Sequence, residues 1–159
     1  MIHPFEPIFD RNSQILILGT FPSEKSREYG FFYGHPRNRF WKLLTILTNF
    51  KKIPESIDEK KAILLHNKIA LWDVIQSCDI KGSNDASITN VIPNDLSKIL
   101  NFSKIKQIYA NGTKAYQLYM KYCYPSTEKT IIKLPSTSPA NASYSIEKLK
   151  HEWEKIKIL

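Results

Sequence analysis

A chain of 159 residues, 42% hydrophobic and 24% charged, has the balance of one compact domain spanning 1–159 and excludes a disordered or fibrous polymer. Its 23 Lys and Arg against 15 Asp and Glu leave +8 at pH 7, which fits either a polyanionic partner or a lysine-rich solvated surface. Two distant cysteines, Cys78 and Cys123, cannot supply a disulfide framework, a zinc centre or an iron–sulfur cluster; no metal or cofactor is expected, and two reduced thiols suit a cytoplasmic protein.

Met1-Ile2-His3-Pro4-Phe5 lacks the basic and apolar regions of a signal peptide, and no stretch approaches the roughly 18 apolar residues of a membrane span. The first apolar run, Gln14 to Leu18, predicts a buried strand. A long loop follows: Gly19-Thr20-Phe21-Pro22-Ser23, then Phe31-Phe32-Tyr33-Gly34, then His35-Pro36-Arg37-Asn38-Arg39-Phe40-Trp41. Gly19 lets the backbone approach a ligand, and Pro22 stiffens the turn. The three aromatics between Gly30 and Gly34 either anchor the loop to the core or stack a planar base.

From Asn38 to Leu47, Phe40, Trp41, Leu43, Leu44 and Leu47 recur at helical spacing. Asn38 stands where that helix begins, as an N-cap or as a polar group facing a crevice. A second helix covers Ser56 to His66. The second strand, Ile69 to Trp72, is closed by Asp73, whose carboxylate can accept from a base edge or from a neighbouring turn. Ser83-Asn84-Asp85-Ala86-Ser87 reads as a solvent-facing polar loop.

A third strand, Ile105 to Ala110, precedes a helix over Thr113 to Tyr122, and a fourth spans Thr130 to Leu134. The loop after it, Pro135-Ser136-Thr137-Ser138-Pro139-Ala140-Asn141, is either an ordinary turn or a set of hydroxyl donors to phosphates. Ile146, Leu149, Trp153 and Ile156 form the apolar stripe of a last helix that Ser143 or Ser145 can cap. The four histidines have no metal-ligand spacing. No Ser/His/Asp order, phosphate loop or dinucleotide fingerprint is present.

Strands alternating with helices predict an α/β fold: a three-layer α/β/α sandwich around a central, mainly parallel four-stranded sheet. Its ligand crevice is expected beyond the carboxyl ends of the strands, where the loops after Leu18, Trp72 and Leu134 meet.

Those loops resemble the motifs of the uracil-DNA glycosylase superfamily. Gly19-Thr20-Phe21-Pro22-Ser23 is similar to its first motif. The His35 to Trp41 segment resembles that of the mismatch-specific uracil glycosylases and their deoxyinosine-specific relatives. Ser136-Thr137-Ser138-Pro139-Ala140 resembles the loop that enters the DNA minor groove. Leu71-Trp72-Asp73-Val74 and Tyr109-Ala110-Asn111-Gly112 fit the second and third strand ends.

Two departures decide the subgroup. Phe21 stands where many members carry a water-orienting Asp or Asn, and Ser136 where uracil-specific members carry His. The deoxyinosine glycosylases, whose essential Asn lies in the Pro-x-Asn segment, are the nearest match. The resemblance therefore implies a monofunctional hydrolase of N-glycosyl bonds in base excision repair, acting on hypoxanthine in DNA without a cofactor, as a cytoplasmic monomer. It implies Asn38 as the catalytic residue, orienting a water through its amide oxygen. Thr20, Phe21, Tyr33 and Asp73 would hold the base, with Tyr33 stacking on it. Ser23 and the run Ser136, Thr137, Ser138, Pro139, Ala140 and Asn141 would hold the DNA. A uracil or thymine mismatch glycosylase, a noncatalytic nucleic-acid-binding module and a nucleotide-binding α/β protein are the alternatives.

Overall fold

In the computed structural model, which describes residues 1–156, β1 (Ile15–Gly19) runs through the middle of a four-stranded sheet. Its five residues are all buried, because both faces of the sheet are covered. β1 is followed by α1 (Glu24–Tyr29), α2 (Phe40–Leu47) and α3 (Ile57–His66) before β2 (Ile69–Asp73) pairs parallel to it. Then come β3 (Ile75–Asp79), β4 (Thr89–Pro93) and α4 (Ser97–Phe102). β5 (Gln107–Asn111), α5 (Thr113–Tyr122), α6 (Tyr124–Thr127), β6 (Ile131–Leu134) and α7 (Ile146–Trp153) complete the order. The sheet order β2-β1-β5-β6 is parallel throughout, with Ile15 beside both Ile69 and Gln107, and Ile108 beside Ile131.

Strand alternation sorts the core into two halves. Ile15 and Ile17 face α2, α3 and α7, packing with Phe40, Leu44, Leu64 and Trp153. Leu16 and Leu18 face α4, α5 and the β3–β4 hairpin, packing with Ile75, Ile99, Leu118 and Tyr119. This is the expected three-layer sandwich, and the four anticipated strands lie within a residue or two of the observed ones.

The hairpin was not anticipated. β3 and β4 pair antiparallel with shifts in register, and their sequences, Ile-Gln-Ser-Cys-Asp and Thr-Asn-Val-Ile-Pro, lack a clean apolar alternation. The amino-terminal segment joins the hairpin: Ile2 bridges Ser77, and the His3 N–H donates to the Gln76 carbonyl at 2.7 Å. The long loop also contains α1, capped by Ser23 and ended by left-handed Gly30 at φ 81°. Ser145, not Ser143, caps α7.

Two buried tryptophans peg the site-forming loops to this frame. Trp41 Nε1 of α2 donates to the Phe32 carbonyl at 3.0 Å, and Trp153 Nε1 of α7 donates to the Pro135 carbonyl at 2.8 Å. Phe31 and Phe32 are core residues, whereas Tyr33 is only half-buried. No described helix is long and apolar enough to cross a membrane.

Candidate active site

A cleft of about 130 Å³ opens at the carboxyl ends of the parallel strands, lined by residues 19–23, Tyr33, Asn38, Asp73, Asn111 and 136–138. Its size is that of a single ring system, since a cavity of ~150 Å³ holds benzene. The three loops singled out in the sequence meet there. A fourth wall, the hairpin tip with Ser83 and Asp85, joins them. Ser83 Oγ accepts from the Glu24 N–H at 2.9 Å, and the Arg27 guanidinium donates to the Gly82 carbonyl at 3.2 Å. The polar loop is solvent-facing as expected, with Ser83 to Ala86 exposed, and Ser83 and Asp85 also border the cleft.

Asn38 lines the cleft, and its amide is oriented by two hydrogen bonds. Its Oδ1 accepts from the Phe40 N–H and from Thr137 Oγ1, both at 2.9 Å. The cap and the crevice-facing group are therefore one residue, one position ahead of Arg39, which stands at the N-cap position of α2 but makes no side-chain cap bond. A backbone N–H can only meet an oxygen, so the amide is not reversible. Both Oδ1 lone pairs are occupied, which corrects the expectation that this oxygen orients a water. Nδ2 is left without a protein partner among the described residues.

Thr137 is fully buried. Its N–H donates to Asn111 Oδ1 and its Oγ1 accepts from Asn111 Nδ2, each at 3.0 Å. The chain Asn111–Thr137–Asn38 thus links the end of β5, the loop after β6 and the start of α2. Thr137 was expected to hold DNA; its hydroxyl is spent inside the protein, so that expectation is corrected. Ser23 likewise turns its hydroxyl to Ser26, accepting from the Ser26 N–H at 3.1 Å as the cap of α1. Asn141 Nδ2 donates to the Ser136 carbonyl at 3.0 Å, closing its own turn.

Pro139 and Ala140 form the outer edge of this loop, with Ala140 exposed, while Ser136 and Ser138 border the cleft. Arg39 holds the loop from beneath. Its guanidinium donates to the carbonyls of Ser138 at 2.9 Å, Asn141 at 3.1 Å and Tyr144, and its N–H donates to the Thr137 carbonyl at 3.1 Å. One planar fork satisfying three carbonyls makes the lip rigid.

Opposite stands Tyr33, held in the left-handed region at φ 54°, a strained backbone for a bulky residue. One ring face stacks on Phe40 at a centroid distance of 4.3 Å, and the ring borders the cleft. Its hydroxyl is buried and makes no hydrogen bond of normal geometry to any described residue, with Asn111 its polar neighbour. Burial pushes this phenol far above its ordinary range, the Asp73 carboxylate adds to the rise and Asn111 opposes it, so the group stays a proton donor.

Gly19 explains how Tyr33 and Asp73 converge. A Cβ there would lie 2.4 Å from Asp73 Oδ1 and 2.8 Å from the Tyr33 hydroxyl, so only glycine leaves room. Thr20 and Phe21 are buried beside it, and their N–H groups donate to no other described residue. Asp73 Oδ2 meets His3 Nε2 at 2.7 Å. Its Oδ1 has no protein partner among the described residues.

His3, Arg39 and Asn111 are the contributors that motif reading missed. Arg39 adjoins Asn38 and Asn111 closes an apolar strand, so each carried a positional hint. His3 carried none, because its partner is 70 residues away. Among the described residues no group of three or more His, Cys, Asp or Glu is gathered as a metal site.

Comparison with known proteins agrees with this geometry. The sequence model of the Uracil DNA glycosylase superfamily matches residues 6–159. A protein of Methanosarcina acetivorans named Hypoxanthine DNA glycosylase is 34% identical over 155 residues, covering 96% of this chain and 95% of its own. A Methanosarcina barkeri protein of the same name is 33% identical over 112 residues, covering 70% of this chain and 71% of its own. The solution structure of a candidate uracil DNA glycosylase from Methanosarcina acetivorans superposes with a TM-score of 0.83 at 34% identity, covering 98% of this chain and 96% of the other.

Proposed function

We propose that this chain, which belongs to the uracil DNA glycosylase superfamily and is a DNA glycosylase, hydrolyses the N-glycosidic bond of a flipped deoxyinosine and releases hypoxanthine. The observation that carries the base assignment is the free Oδ1 of Asp73 on the cleft wall. A carboxylate can only accept, so it selects a base edge that presents N–H. Hypoxanthine has N1–H where adenine has a bare ring nitrogen. The names of the two Methanosarcina relatives support the same base.

The base must leave the duplex to enter so small a cleft, at a cost of a few kcal/mol that is least for a poorly paired base. Tyr33 stacks on one face of it. The free N–H groups of Thr20 and Phe21 meet its carbonyl. As the C1′–N bond breaks, the base departs with the electron pair and the sugar becomes cationic. The N–H donors and Asn38 Nδ2 are preorganised for this charge separation, Nδ2 holding the attacking water by one lone pair. The water oxygen bonds to C1′, one of its protons is lost to solvent, and the base is reprotonated. Among the described residues no lysine lines the cleft, so they supply no Schiff-base nucleophile and the reaction stops at the abasic site.

Ser136, Ser138, Pro139 and Ala140, on the Arg39-braced lip, meet the DNA backbone and fill the gap left by the base. The partner is DNA carrying a deaminated or mismatched base, met by a monomer in the cytoplasm. Uracil is the second reading, because its N3–H presents the same donor to Asp73. Duplex oligonucleotides carrying hypoxanthine, uracil, xanthine or mismatched thymine, treated with alkali after incubation, test the assignment. Cleavage at hypoxanthine above the rest is expected; cleavage at uracil alone would replace the reading, and none at any base would end it.

A further inference from the structure

We propose that His3 is a positioning residue for base selection: it clamps Oδ2 of Asp73 so that Oδ1 stands in the cleft as an immobile acceptor for the lactam N–H of the target base. This rests on the reading of the cleft as a base pocket and adds the device that orients its acceptor.

The clamp is over-determined. His3 Nε2 lies 2.7 Å from Asp73 Oδ2, with side-chain exposures of 3% and 5%. His3 Nδ1 accepts the Phe5 N–H at 3.1 Å. A ring nitrogen that accepts carries no proton, so the proton sits on Nε2 and the imidazole is the donor to Asp73. Phe5 and Phe21 meet the ring edge-on, at centroid distances of 5.6 and 5.7 Å, and Phe32 lies tilted at 5.8 Å. The backbone is tied to β3 through the Gln76 carbonyl. Neither the ring nor its tautomer can change without breaking one of these contacts.

A buried histidine paired with an aspartate is most often a structural tie. Here the second carboxylate oxygen separates the two readings. A tie turned wholly inward would bury both oxygens, yet Oδ1 has no protein partner among the described residues and Asp73 borders the cleft. The unpartnered Tyr33 hydroxyl crowds the same point above Gly19. The acceptor left open on Asp73 matches the N–H of a lactam, whose carbonyl is met by the Thr20 and Phe21 N–H groups. The charged or titratable groups that face Asp73 are His3 from the amino-terminal segment, Tyr33 from the loop before α2, and Asp85 from the hairpin tip. Of these only His3 holds the carboxylate by hydrogen bonding.

The test compares wild type, His3→Leu and His3→Gln, the last keeping an N–H donor near the Nε2 position. Each is bound to two duplexes that carry a non-hydrolysable fluorinated sugar, one with hypoxanthine and one with unsubstituted purine, which lacks both the carbonyl and the N1–H. Wild type is expected to prefer hypoxanthine by roughly tenfold or more, the scale of a charge-assisted hydrogen bond. His3→Leu should lose that preference and His3→Gln regain most of it, a pattern that general destabilisation would not produce. If His3→Leu kept the full preference, the positioning role would be overturned while the base-pocket reading stood. If wild type showed no preference, both would fall. If wild type showed the preference but released no base from cleavable DNA, the enzymatic reading would fall and the positioning role would stand.

Discussion

Thr137 Oγ1 donates to Asn38 Oδ1 at 2.9 Å across 99 residues of chain, and it takes up the second lone pair of an oxygen whose orientation the Phe40 N–H already fixes. The oxygen is consumed by the hydroxyl and by the Phe40 N–H, so the side chain works as a donor.

Asn38→Ala should abolish hypoxanthine release. Asn38→Asp is the sharper variant, because it keeps both accepted bonds and replaces the Nδ2 donor by a second acceptor. A loss of roughly 10²-fold or more in single-turnover rate is expected, the scale of removing one preorganised donor. An aspartate variant as fast as wild type would transfer the chemistry away from Nδ2.

Thr137→Val removes the shared hydroxyl without changing shape. Asn111 and Asn38 each lose a partner in a buried setting, at about 1–3 kcal/mol. Urea denaturation should show that loss, and kcat should fall with it. Thr137→Ser should recover most of both.

Gly19→Ala tests the convergence of Tyr33 and Asp73. The added methyl would lie 2.4 Å from one oxygen and 2.8 Å from the other, so both must move. Base release should drop far more than overpacking, at about 1–3 kcal/mol, lowers stability. Parallel melting and activity curves check it; proportionate losses would count against a shared base-reading point.

Arg39→Lys trades a planar fork for a point charge that cannot serve three carbonyls together. The lip from Ser136 to Tyr144 should exchange its amide hydrogens faster, and KM for damaged duplex should rise more than kcat falls. Unchanged exchange in that segment would show that the lip is held by other contacts.

Asp85 at the cleft rim makes affinity depend on pH. Asp85 is an exposed residue, but partial desolvation of its carboxyl against the cleft wall moves its titration upward, Lys114 opposes the rise and Asp73 adds to it. The rim therefore loses a negative charge as pH falls through that raised value, and phosphate binding tightens; rising pH reverses it. Asp85→Asn should bind DNA more tightly at neutral pH and flatten this part of the profile in fluorescence titrations. In both proteins affinity should fall steeply with salt, because phosphate contacts release counterions.

The parallel sheet was legible in the sequence because its strands are buried on both faces and read as unbroken apolar runs, as in Ile15 to Leu18. The β3–β4 hairpin was not, because an outer, half-exposed ribbon mixes Gln76, Ser77 and Asn90 with its apolar residues. The loops of the cleft were legible by spacing, whereas the facing of single side chains was not. Thr137 sits between two serines of the same chemistry, and only its packing distinguishes it from them. Asn38 was legible both as a cap and as a site residue, and it is both because one oxygen caps while the nitrogen is left over. His3 escaped notice because the ribbon that delivers it to Asp73 is itself the part of the fold that composition hides.

The smallness of the cleft has a consequence for undamaged DNA. A space of about 130 Å³ suits one nucleobase and not a pair, so the cleft takes up a base only after it has parted from its Watson–Crick partner. Healthy adenines are thus shielded twice: first by the stability of their own pairing, which keeps them out of reach, and only afterwards by the polarity of the pocket wall, whereas guanine, which shares the lactam edge of hypoxanthine, is kept out by its firmer pairing. Genome surveillance here begins as a sieve for loosely held letters, with chemical inspection reserved for the few that slip through.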